Sequence, residues 1–150
     1  MDSLVERLKK GVEAEATIVT RLYKDGCSLS KKGLPKENIV IDLDKIHSIL
    51  QEKRADYLFA SDDWILAIEM KKNRPNIKFS AQQLQATAKM IENLTHGVKV
   101  ENFRPVLASG SLHKKQKLRL SNHSNHIQFR GKPYRIEVIK CGSQLRQILS

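Results

Sequence analysis

Asp56–Lys71 reads DYLFASDDWILAIEMK, and this stretch decides the fold. Asp56 to Ala60 and Trp64 to Lys71 are runs of strand length rich in aromatic and β-branched residues, and the acidic pair Asp62 and Asp63 between them suits a turn. The two halves predict an antiparallel hairpin. Side chains alternate along a strand, so Glu69 and Lys71 share one face while Met70 points away. The nearly unbroken apolar run from Trp64 to Ile68 makes this strand central and buried. Ending it with two ionisable groups is costly unless they meet a partner or a ligand. Asp56, at the mouth of the adjoining strand, can supply a second carboxylate.

Downstream, Pro75 and Asn76 close the hairpin segment. Ser80 then suits the N-cap of a helix running to about Leu94, with Gln83 as its capping-box partner. Leu84, Ala88, Ile91 and Leu94 recur at helical spacing and offer a face to cover the sheet. Phe103 to Ala108 predicts another strand, with Pro105 placing its first residues at an edge or outside it. Ser109 to Ser111 makes a turn, and Leu112 to Leu120 is short and strongly basic. Ile127 to Arg130 and Tyr134 to Ile139 read as a hairpin joined by Gly-Lys-Pro, and Leu145 to Leu149 as a closing short helix. Upstream, Ile39 to Ile41 is a compact strand, followed by a short helical stretch through Ile46, Ile49 and Leu50. Asp25 to Asn38 reads as a loop. Ala14 to Tyr23 is read as helix on the spacing of Ala14, Ile18 and Leu22, against the strand preference of Thr17, Val19 and Thr20; a short helix over Ser3 to Lys10 precedes it. The whole is an α/β chain with one domain over residues 1–150.

The 150 residues carry 27 Lys plus Arg against 16 Asp plus Glu, a formal charge of +11. At 40% hydrophobic and 29% charged the chain can bury a core, which excludes a disordered polyelectrolyte or a fibrous repeat. No apolar stretch reaches the roughly 18 residues needed to cross a bilayer, and MDSLVERLKK lacks the apolar run of a secretory signal. The expectation is a soluble, cytoplasmic protein with no membrane partner. In that compartment Cys27 and Cys141 are expected as thiols, too few and too far apart in sequence for a disulfide scaffold or a zinc site. A metal would therefore be held by oxygen. The last 50 residues hold 10 basic and 2 acidic side chains, against 11 and 10 in residues 1–60. Such asymmetry suits a polyanion, nucleic acid first.

Asp56, Glu69 and Lys71 form D-x12-E-x-K across two neighbouring strands. Two converging carboxylates suit magnesium, with manganese as a substitute, and the backbone carbonyl of Met70 is a third protein ligand. Lysine does not bind this metal; it would orient the attacking water and meet the charge that develops on phosphate. These features indicate metal-assisted hydrolysis of a phosphodiester.

Asp56 followed by Glu69-Met70-Lys71 on a hairpin, and then a helix from Ser80 to Leu94, resembles the PD-(D/E)XK nuclease superfamily. The resemblance covers about 40 residues and implies a restriction endonuclease-like α/β core, in which a central mixed β-sheet is flanked by helices. It further implies an endonuclease that acts on DNA in preference to RNA, often as a homodimer. The usual proline before the aspartate is replaced by Ala55. The superfamily also carries an acidic residue in its first helix, for which Glu6, Glu13 and Glu15 are candidates and Glu15 is preferred. A glutamine in the helix after the lysine is frequent, so Gln82 or Gln83 can bond a phosphate or a water, although Gln83 also suits a cap.

Each feature has a plainer reading. Asp56 alone can be a strand-start aspartate, and Glu69 with Lys71 a surface pair on an edge strand. His123 and His126 sit in a polar turn with no third soft ligand, which suits an ordinary loop. Basic residues that would flank the carboxylates are Lys72 and Arg74, then Lys114, Lys115, Lys117, Arg119, Arg130, Lys132 and Arg135. Aromatic residues are scarce, which disfavours a stacking platform for single strands. The competing function is a non-catalytic nucleic-acid-binding subunit of a repair or defence assembly; a small protein-interaction domain is the third. With one domain, selectivity would come from substrate shape, such as branched DNA, or from a protein partner.

Overall fold

The structure, a computed structural model, describes residues 3–11, 18–45, 54–73 and 75–149. Helix α1 spans Leu4–Gly11, followed by β1 (Ile18–Val19), β2 (Leu22–Lys24), β3 (Cys27–Leu29) and β4 (Asn38–Asp42). Next come β5 (Tyr57–Ser61), β6 (Trp64–Lys71), helix α2 (Ile77–Leu94) and β7 (Asn102–Ser109). Helix α3 (Lys114–Ser121), β8 (Ile127–Phe129), β9 (Lys132–Tyr134) and β10 (Glu137–Lys140) complete the order, with short 3-10 turns at Leu43–Lys45, His123–Asn125 and Leu145–Leu149.

The predicted hairpin forms, with Tyr57 opposite Ile68 and Ala60 opposite Ile65. It forms the centre of a mixed six-stranded sheet in the order β1-β4-β5-β6-β7-β10. β4, β5 and β6 are antiparallel neighbours, whereas β7 runs parallel to β6 and β10 parallel to β7. A parallel neighbour demands a crossover, and α2 supplies it. Every residue of β5 is buried, as are Ile65 to Met70 of β6. Alternation sorts them onto two faces. Leu58, Ala60, Ile65 and Ala67 join one cluster with Leu8 of α1 and with Ile77, Leu84, Ala88 and Ile91 of α2. Tyr57, Phe59, Leu66, Ile68 and Met70 join the other, with Leu22 and Leu29 of the β2–β3 hairpin and Leu145 and Ile148 near the C-terminus. Each large apolar side chain so buried contributes about 1.5–3 kcal/mol against exposure. The product is an α/β domain in three layers: helices, sheet, and a small layer made by a hairpin and a 3-10 turn.

Several local expectations are corrected. The helix expected over Ala14 to Tyr23 does not extend through its second half, because β1 and β2 occupy it; the β-branched Ile18 and Val19 pair with Ile41 and Val40 of β4. Within the expected loop Asp25 to Asn38, β3 pairs with β2 around a two-residue turn, Asp25 at φ 47° and Gly26 at φ 81°. Positive φ at both central residues is what a type I′ hairpin requires, and Asp-Gly is among the pairs that best accept it. The helix expected around Ile46 to Leu50 lies outside the described residues. Asn76, not Ser80, caps α2: its Oδ1 accepts from the Phe79 N–H at 3.0 Å, and Ser80 is buried in the first turn. Pro105 lies inside the sheet, paired with Ala67, and is tolerated because β10 begins only opposite Val106. The C-terminal hairpin turns at Arg130–Gly131 and pairs β8 with β9, while β10 leaves it for the main sheet.

The cysteine expectation is overturned too. Cys27 and Cys141 form a disulfide with a Cα–Cα distance of 5.1 Å. The chain turn after β10 runs beside β3, where Gly142 N–H donates to Ser28 O at 2.7 Å and Ser30 N–H to Ser143 O at 2.9 Å. Those bonds bring together two residues 114 apart in sequence. Cross-linking so long a loop restricts the unfolded chain, so reduction or Cys27→Ser is expected to cost about 2–5 kcal/mol in a urea melt, and an unchanged midpoint would contradict the bridge.

Candidate active site

The edge of the sheet at which β6, β7 and β10 end and β5 begins collects the ionisable residues. Continuing the β5–β6 register by one residue beyond Tyr57 and Ile68 sets Asp56 against Glu69. Both lie on the helix side of the sheet, by the alternation that puts Leu58 and Ala67 there. Asp56 Oδ2 accepts from the Met70 N–H at 2.8 Å, which locks the aspartate to the end of the neighbouring strand. Amide and carbonyl of one strand residue point toward the same neighbour, so the Met70 carbonyl is directed to the same side as Asp56. Asp56 is 7% exposed and Glu69 is 0% exposed, while Lys71 is half-buried at the strand end.

Helix α2 sets the entry to this corner. Ala55 N–H donates to Thr87 Oγ1 at 2.8 Å, and that hydroxyl donates to Gln83 O at 2.9 Å. Gln83 Nε2 donates to Arg54 O at 3.3 Å, and its Oε1 is buried with no partner among the described residues. Gln83 therefore takes no part in the α2 cap; it holds the chain that delivers Asp56. On the other side Leu43 N–H donates to Asp56 O at 3.0 Å, and Tyr57 Oη donates to Tyr23 O at 2.6 Å, tying β2 to β5.

As a carboxylate, Glu69 accepts no hydrogen bond among the described residues; as the neutral acid it can share its proton with Asp56. Burial first, and the Asp56 carboxylate second, push its carboxyl up to about 9; Lys71 opposes the shift and Asp44 adds to it. A buried acid pair with a lysine too weak to compensate it invites a proton or a cation. Asp56, Glu69 and the Met70 carbonyl fit a hard divalent cation that keeps several waters, since such a metal takes oxygen from one or two carboxylates. Among the described residues no three His, Cys, Asp or Glu side chains form a cluster.

Sequence reasoning passed over Asp44 and Lys24. Lys24 Nζ bonds Asp44 Oδ2, and this contact is the main cause of a raised lysine pKa, to which Asp56 also contributes. The signal was available in Asp42-Leu43-Asp44-Lys45, two acids directly after an apolar strand. Glu15, Glu13 and Arg74 lie outside the described residues. Glu6 is exposed in the first turn of α1, bonded with Ser3. Gln82 is exposed and faces a different groove from the carboxylates.

The cations divide into two groups. Lys72 is exposed just past β6, reaching over Gly26, where an added Cβ would meet its Cδ at 3.2 Å. Lys114, Lys115, Lys117 and Arg119 are exposed on α3, which starts near the same edge. Arg130, by contrast, is committed to the far end of α2: Nη2 donates to Thr95 O at 2.8 Å and to Thr95 Oγ1 at 3.0 Å. Lys132 follows it in the β8–β9 hairpin, and Arg135 is exposed between β9 and β10. His123 and His126 stack edge to face at 4.9 Å.

Glu69 sets a pH dependence. Its folded-state pKa lies above the ordinary 4.5, so the folded chain holds a proton that the unfolded chain has already lost between pH 4.5 and about 9. The contribution is complete below about 4.5 and is lost as pH rises toward about 9. Without divalent metal, Glu69→Gln is expected to be the more stable protein at pH 8, by several kcal/mol, with the gap closing near pH 4. Thermal melts in chelator across that range check it, and a gap that does not change with pH would be the contrary result.

Comparison with protein-family models, with curated proteins and with solved structures finds no match to this chain.

Proposed function

We propose that this chain is a metal-dependent endonuclease of the PD-(D/E)XK type that hydrolyses phosphodiester bonds, in DNA rather than RNA. The observation that carries the reading is the fully buried Glu69 carboxyl set against the buried Asp56 carboxylate, on the same strand face as Lys71. A mixed sheet flanked by helices is compatible with the restriction endonuclease-like core of that superfamily.

Asp56 and Glu69 would hold magnesium, or manganese in its place, together with the Met70 carbonyl. When bound, the cation supplies Lewis-acid activation of water and neutralises phosphate charge. The Met70 N–H fixes one oxygen of Asp56 and leaves the other for the ligand. Gln83 and Thr87 keep the Asp56 segment from drifting, which preserves the short spacing between the two carboxylates. Lys71 donates to the attacking water and offsets charge on the scissile phosphate as it becomes five-coordinate. Lys72 and the α3 cations meet neighbouring phosphates, and a homodimer would bring two such sites to the two strands of a duplex. Selection among substrates falls to DNA shape, such as a branch, or to a protein partner.

A second reading, a binding subunit without catalysis in a repair or defence assembly, draws on the charge of the last 50 residues, 10 basic against 2 acidic. Cleavage assays with magnesium on linear, nicked and branched DNA and on RNA separate the two. Glu69→Ala and Lys71→Ala are expected to lose roughly 100-fold or more in rate while keeping the parent's circular dichroism spectrum and a cooperative melt. Activity surviving in both variants sinks the assigned site, and binding without cleavage by the parent favours the second reading.

A further inference from the structure

Helix α2 has a second flank, away from Gln83, and against it lies a groove of about 610 Å³. Its lining includes Asn76, Lys78 and Gln82 of the α2 entry and first turns, with Arg119, Ser124 and His126 from α3 and the turn after it. The walls are fastened. Gln116 Nε2 donates to Pro75 O at 2.7 Å, joining α3 to the start of α2. Gln85 exchanges two hydrogen bonds with the backbone of Gln128, at 2.9 and 2.7 Å, joining α2 to β8. Asn125 Nδ2 donates to Arg119 O at 2.9 Å and closes the turn behind α3.

The side chains left for a ligand are two cations, an amide and an imidazole, His126, whose Nε2 is buried with no partner among the described residues. Lys78, Gln82 and Arg119 are exposed, and no hydrogen bond or ion pair engages the ammonium, the amide or the guanidinium among the described residues. Among the described residues no Asp or Glu lines the groove. Among the described residues no Phe, Tyr or Trp lines it either. Two unneutralised cations and an amide donor in a polar concavity match the oxygens of a sugar–phosphate backbone. The groove and the carboxylates sit on opposite flanks of the first half of α2, with the helix between them.

We infer that this groove is a nucleic-acid backbone site, distinct from the carboxylate corner, which holds phosphates through Lys78 and Arg119 while α2 separates it from the scissile bond. The inference rests on the nuclease reading for its place in the reaction, but binding alone tests it. Lys78 was not among the cations singled out from sequence, and its pairing with Arg119 arises only from the docking of α3 against α2.

The experiment is fluorescence anisotropy of a labelled short DNA duplex in calcium, titrated at several salt concentrations. The proteins are the parent, Lys78→Gln/Arg119→Gln, and Lys36→Gln/Lys99→Gln, a control with the same charge loss at the opposite edge of the sheet. The groove variant is expected to lose about tenfold or more in affinity and to show a salt slope shallower by about 2, with melting unchanged; the control should lose far less. With magnesium its cleavage defect should reside in KM, whereas Glu69→Gln should bind normally and fail to cut. Equal losses in the groove variant and the control, or equal displacement of the duplex by polyglutamate or inorganic phosphate, would overturn the groove and leave the nuclease reading intact. Duplex binding that depends on Lys78 and Arg119 with no cleavage by the parent would overturn the nuclease reading and leave the groove. A parent that neither binds nor cuts nucleic acid overturns both.

Discussion

The pairing of Tyr57 with Ile68 is the constraint on which the site depends. A strand register has a period of two, so a slip of one residue would turn Glu69 to the other face of the sheet and put Met70 among the helices. Two features prevent it. Phe59 and Leu66 on one face, and Leu58 and Ala67 on the other, are packed against different layers, so no shifted register buries both sets. The Met70 N–H then ends the ladder on a side chain, Asp56, instead of a backbone carbonyl. The hydrogen bond that terminates the hairpin thus also places an acid beside Glu69.

Helix α2 is the second determinant, because it acts on both sides of the proposed chemistry. Its apolar stripe, Ile77, Leu84, Ala88 and Ile91, seats it on the sheet. With that stripe in place, Gln83 and Thr87 face the chain entering Asp56, and Lys78 and Gln82 face α3. The same burial that orients the helix removes water from Glu69, whose carboxyl then resists ionisation without a cation. Stability and ligand demand oppose each other at this corner.

Much of this was legible. The hairpin, the central position of β6, the shared face of Glu69 and Lys71, and the apolar spacing of α2 follow from alternation and helical period alone. Misreadings came where several local signals competed. Asp25-Gly26 is a two-residue hairpin turn, yet the surrounding Gly, Ser and Lys content suggested a loop. Ser80 and Asn76 are both good caps, and the choice fell to Asn76 because Ile77 is drawn into the core and starts the helix earlier. Pro105 is tolerated beside β6 only because β10 begins one residue later, a boundary with no trace near Pro105 itself. Arg130 looked like one more surface cation, whereas it caps the far end of α2 through Thr95.

The amino-acid order by itself determined the periodic features: which side chains share a face, which strand is buried, and where the acids and the lysine fall along it. Those depend on residue type and spacing within one element, and geometry within an element is set locally. Only the tertiary structure decided that Cys27 meets Cys141 across 114 residues, that the Asp56 segment hangs from Thr87, and that Lys78 faces Arg119. These pairings join elements far apart in the chain, and they are settled by how whole faces bury against one another, which no local pattern encodes.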